Sequence, residues 1–153
     1  MRSKNLKNLL QFVPLKSKIK FITIKFSSAK FKRKFKSRFW AHVLGNKVYI
    51  VDWDSGLPVS ILIHELLHLS IYDKLIHQEP WKSEWLEIYQ QNKFLRKLDS
   101  KPDEAFLHAF ARYLIFKEFH LLYLLPSQVR KFISKIIKFT NKHYFKKVFS
   151  IQC

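Results

Sequence analysis

A chain of 153 residues with 48% apolar and 16% aromatic side chains can bury one core, which excludes a disordered polar chain. Fifteen Phe stand against two Gly, so glycine-dependent tight turns are scarce and long helices are favoured over a many-stranded sandwich. A formal net charge of +18 directs the protein towards anionic partners, and the single cysteine, Cys153, excludes a disulfide framework and a Cys-rich zinc site.

Residues 1–16 read as a basic N-terminal arm. Its short apolar run, Leu9 to Val13, is interrupted by Pro14 and Lys16, and no small-residue cleavage site follows, so no signal peptide is read. With the lone cysteine, this favours a cytoplasmic setting. No uncharged apolar stretch reaches about 18 residues, so no transmembrane helix is expected. Residues 17–153 read as one domain. Lys18 to Phe26 alternates Lys with Ile, Phe and Thr, as a strand does. Ser27 to Ser37 is a basic connector, and Gly45-Asn46 between Arg38–Leu44 and Lys47–Trp53 is a hairpin turn. Val48 to Val51 is apolar on both faces, as in a buried strand, and its edge is where an extended substrate would pair.

Four helices are expected next: Leu57 to His77, Trp81 to Leu98, Ser100 to about Leu125, and Pro126 to about Phe149. The first is apolar nearly all round and should be buried. Trp53, Trp81 and Trp85 read as core anchors. The expected class is therefore α+β: a small N-terminal sheet of one strand plus a hairpin, then a mostly helical half.

His64-Glu65-Leu66-Leu67-His68 is the strongest signal. Residues four apart share a helix face, so both imidazoles can meet one cation. Zinc suits neutral imidazole nitrogen, and in the HExxH arrangement the glutamate acts as general base. Three ionisable groups in an otherwise apolar helix need such a reason. The alternative is a buried His, Glu and His satisfied by hydrogen bonds.

A catalytic zinc usually takes three protein ligands, so a third must come from an element packed on this helix. Glu104 is the choice, with Phe106, Phe110 and Leu114 supplying a packing face on the same helix. Acids in a first helical turn are also favoured by the helix dipole, and Ser100 with Asp103 resembles a capping box. His108, one turn beyond Glu104, is the other candidate ligand, or else a group supporting one. His42, His77, His120 and His143 lack ligand spacing.

The pattern His64-Glu65-x-x-His68 followed by Asp103-Glu104-Ala105-Phe106-x-x-Ala109-Phe110-Ala111 resembles the gluzincin branch of zincin metallopeptidases. It is most similar to the catalytic domains of lethal-factor-like toxins and Pro-Pro endopeptidases, over roughly residues 45–120. The resemblance implies a zincin-like fold, zinc held by His64, His68 and Glu104, and Glu65 as the base. It also marks a departure: the second glutamate of the family motif falls on His108, which cannot supply its negative charge. No tyrosine stands at the family's position before Glu104; Tyr89 lies at a different spacing. A weaker resemblance is to peptidases that cleave phage repressors and stress regulators.

The expected function is peptide-bond hydrolysis at a single Zn2+, with a protein or peptide substrate. The alternatives are a nucleic-acid or anionic-surface binding module driven by the +18 charge, and a catalytically impaired zincin-like protein. The chain lacks zinc-finger and Gly-rich-loop signatures. Oligomeric state is not encoded in any pattern read here.

Overall fold

The structure is a computed structural model that describes residues 20–25, 41–44, 47–52 and 59–145, with side chains over 60–143 and at Lys47. Six α-helices make up its body: α1 (Val59–His68), α2 (Ile71–Ile76), α3 (Trp81–Gln91), α4 (Lys93–Leu98), α5 (Pro102–Glu118) and α6 (Ser127–Thr140). A 3-10 turn, Leu122–Leu124, links the last two, and a π-turn, Asn141–Phe145, follows α6.

The expected α+β class with an N-terminal sheet is overturned. Residues 60–143, described with side chains, are mostly helical, without a strand among them. Their core is helix on helix: Ile63 and Leu67 of α1, Trp81 and Trp85 of α3, Phe106 and Phe110 of α5, and Phe132 and Ile133 of α6 are all buried. Class is decided by the layers that share the core, so local β-propensity upstream does not set it. At Lys20–Lys25, Ala41–Leu44 and Lys47–Asp52 the backbone is described, with the side chain of Lys47 alone, and it is extended. Lys47–Asp52 runs between the other two, parallel to the first and antiparallel to the second. Its backbone is thus flanked on both sides, and the expected substrate edge at Lys47–Trp53 is not available. The proposed arm, residues 1–16, the connector 27–37 and Trp53 lie outside the described residues.

The helices are also shorter than the periodicity predicts. The expected helix Leu57–His77 breaks at Ser70. Its hydroxyl donates to the Leu67 carbonyl at 2.6 Å and accepts the Tyr72 N–H at 3.2 Å, so it ends one helix and caps the next. The expected helix Trp81–Leu98 breaks at Asn92, which is extended and reaches Gln128 with its side-chain amide. The third ends at Glu118 rather than near Leu125. His120 there takes a positive φ of 58°, and the N–H groups of His120 and Leu121 turn back to Lys117 and Phe116. That is a Schellman ending with histidine where glycine is usual. The fourth is α-helical only to Thr140.

Two long-range hydrogen bonds place the start of α5. Trp85 Nε1 donates to the Pro102 carbonyl at 2.6 Å, and Tyr89 Oη donates to the Ser100 carbonyl at 2.8 Å. Pro102 fits the first helical turn because its missing N–H has no partner to lose. Lys101, not Ser100, is the N-cap and makes no side-chain cap, so the capping box that Ser100 and Asp103 resemble does not form. Asp103 and Glu104 then fall in the first turn, with α5 packed across α1.

Candidate metal centre

The site lies where α1 and α5 cross. His64 and His68 stand one turn apart on α1, and their Nε2 atoms face each other at 3.2 Å. Glu104 Oε2 closes the figure at 3.2 Å from His64 Nε2 and 3.5 Å from His68 Nε2. These three donor atoms form a nearly equilateral triangle. Zinc bonds near 2.0–2.1 Å in tetrahedral geometry require ligand atoms roughly 3.3–3.4 Å apart. The residues present therefore fit a tetrahedral ion with a fourth position open, and His64, His68 and Glu104 form a group able to hold a metal ion. Two imidazole nitrogens and a carboxylate oxygen within 3.2–3.5 Å of one another form a donor set that a divalent cation satisfies once the rings are neutral.

Access differs around the triangle. The His64 side chain is 7% exposed, whereas those of His68 and Glu104 are 27% and 30% exposed. The buried ring anchors the site, and the other two leave an approach from solvent. Hydrogen bonds from His64 and His68 outweigh burial and hold the Glu104 carboxyl far below the ordinary carboxylate range. Burial opposes charge on His68, yet its hydrogen bonds to Asp73 and Glu104 and the nearby negative charge push it up to about 10.

Glu65, adjacent to His64, is half-buried. Its pKa is raised foremost by burial, with His64 and His68 acting the other way and Glu104 adding to the rise. A carboxylate shifted towards neutrality takes up a proton more readily, as a general base must.

His108 is not among the three donors that converge. It stacks on His64 instead, ring centroids 4.0 Å apart and planes at 22°. Burial, then the charge of His64, pushes it down to about 4, so it stands beside the site as a neutral ring. His64 Nδ1 is buried and has no hydrogen-bond partner among the described residues, so His108 restrains that ring by its face and not by an acceptor.

Asp73 is the residue that the sequence reading missed. Its Oδ1 lies 3.6 Å from His68 Nδ1, on the side of the ring away from Glu104. It stands on α2, beyond the break at Ser70, and only that break turns it back towards His68. The available signal was the sequence Ser70-Ile71-Tyr72-Asp73, which places an acid three residues after a capping serine.

No protein-family model matches the chain, and searches of curated proteins and of solved structures find no match.

Proposed function

We propose that this protein is a zinc-dependent metallopeptidase that cleaves peptide bonds in a protein or peptide substrate. The observation that carries the reading is the triangle of donor atoms from His64, His68 and Glu104, beside a half-buried Glu65 of raised pKa. When bound, zinc supplies Lewis acidity, lowering the pKa of a water to about 7 and polarising the scissile carbonyl.

The chain's own residues do the remainder. His64 and His68 present Nε2 from one helix face, and Glu104 adds a negative oxygen that balances part of the charge of a divalent cation. Asp73 orients His68 through Nδ1, and His108 holds the plane of His64. Glu65 takes the proton from the attacking water and returns it to the amine that leaves. Burial of His64 and partial burial of Glu65 limit the access of bulk water to that proton.

Glu65→Gln tests the assignment. The variant retains zinc, since Glu65 is not a ligand, and loses cleavage of a fluorogenic peptide library by roughly 10²–10⁴-fold. Unchanged cleavage refutes Glu65 as the base. One observation favours a second reading, a zinc-binding protein without turnover: the unsatisfied Nδ1 of His64. Under that reading the zinc-loaded wild type is as inert as Glu65→Gln.

A further inference from the structure

We propose a second functional face, remote from the metal centre: the basic cleft between α5 and α6 docks the protein on a bilayer containing anionic phospholipid. The cleft has a volume of about 550 Å³ and is lined by Tyr113, Leu122, Ser127, Ser134 and four cations, Arg130, Lys131, Lys135 and Lys138. No acid lines it. Lys135 is partly neutralised from outside by Glu84 at 2.6 Å. Arg130, Lys131 and Lys138 have no ion pair among the described residues, and Arg130 Nε is buried without an acceptor. Two serine hydroxyls and unpaired cations in one concavity are the donors that a phosphate diester needs.

The apolar groups at the cleft's end choose the occupant. The turn that supplies Leu122 also exposes Tyr123 at 69% and Leu124 at 52%, and Phe119 at the end of α5 is 63% exposed. They are the exposed large apolar side chains of the described residues. Cations for headgroups beside a cluster of apolar groups for the acyl boundary is the interfacial pattern. A nucleic acid would use the cations and could stack on Tyr123, but it gives Leu124 nothing to bury against. The apolar face of α6, with Val129, Phe132, Ile133 and Ile136, is taken up by the core, so α6 presents its lysines outward and does not itself insert. No helix among the described residues is long and apolar enough to cross a membrane, so this contact is a surface one.

The charge of the whole chain has the same bias. All 11 acids lie between Asp52 and Glu118, a stretch with only eight of the 29 basic residues. The segment that holds the metal site is thus slightly acidic, and α6 belongs to a flank with no acid. Tyr113, in the cleft, and Phe119, at its apolar end, lie nine and fifteen residues beyond Glu104, so docking holds the metal centre about 13–22 Å from the contact.

The test is flotation of the full chain with two kinds of vesicle, pure phosphatidylcholine and a two-to-one mixture with phosphatidylglycerol, at one salt concentration. The protein floats with the mixed vesicles only. Each cation near an anionic surface contributes about fivefold, so Lys131→Gln with Lys138→Gln lowers partitioning about 30-fold. The triple variant Phe119→Ser, Tyr123→Ser, Leu124→Ser lowers it by at least about tenfold. All five positions are on the solvent side, and the lysine pair decides the matter even where the serine variant misfolds. Equal flotation with pure phosphatidylcholine overturns the proposal, as does wild-type partitioning by the lysine variant. So does undiminished vesicle binding by a folded serine variant, or complete displacement by millimolar inorganic phosphate, which marks a soluble-anion site.

Discussion

His68 is held from both sides, with Glu104 3.5 Å from its Nε2 and Asp73 3.6 Å from its Nδ1. A ligand ring fixed in this way keeps its lone pair aimed at the ion, and loss of such a support typically costs 10–100-fold in metal affinity. Asp73→Asn should therefore weaken zinc binding by about that factor in competition with a chromophoric chelator, with the helical signal intact. Wild-type affinity in the variant would remove Asp73 from the site. The same contacts give a pH dependence. In the metal-free protein burial disfavours charge on His68, but Asp73 and Glu104 push its pKa up to about 10, so the ring carries a proton at neutral pH. That proton must leave before Nε2 can bind zinc. Affinity should therefore rise roughly tenfold per pH unit from about pH 6 to 8, a zinc titration in each buffer being the check. A flat profile would mean that the ring is already neutral.

The geometry of the site depends on where helices stop. Ser70 ends α1 and starts α2 with two hydrogen bonds of one hydroxyl, and it is fully buried. Ser70→Ala removes the acceptor that caps the Tyr72 N–H and one of the two hydrogen bonds to the Leu67 carbonyl, so it should cost about 1–2 kcal/mol and lower Tm by roughly 2–8 °C. Zinc affinity should fall with it, because Asp73 is aimed by that turn; a thermal melt and a zinc titration of one sample test both. Periodicity made the helix under His64 and His68 legible, since residues four apart must share a face. It did not show the break, because Ser70 is one polar residue in an apolar run and reads equally well as a helix interior position. Glu104 was legible as an acid on a helix with the packing face Phe106 and Phe110. Its position was not, because it rests on Trp85 and Tyr89 bonding carbonyls at Pro102 and Ser100, contacts that no local pattern encodes.

At the scale of the molecule, the described body is a helical one that sets a compact polar centre into an apolar crossing of α1 and α5. The upstream Lys-Ile-Lys-Phe run suggests a sheet-bearing class, whereas the core among the described residues is built almost wholly by helices. The acids are confined to the segment with the metal site, between Asp52 and Glu118. That separation lets a slightly acidic site attract a cation within a strongly basic protein. The metal content of the full chain, purified without chelator and measured by elemental mass spectrometry, bears on all of this at once. The triangle of His64, His68 and Glu104 predicts about one zinc per chain, falling sharply in Glu104→Ala. Less than about a tenth of an equivalent in the wild type, unchanged after incubation with zinc, would contradict it.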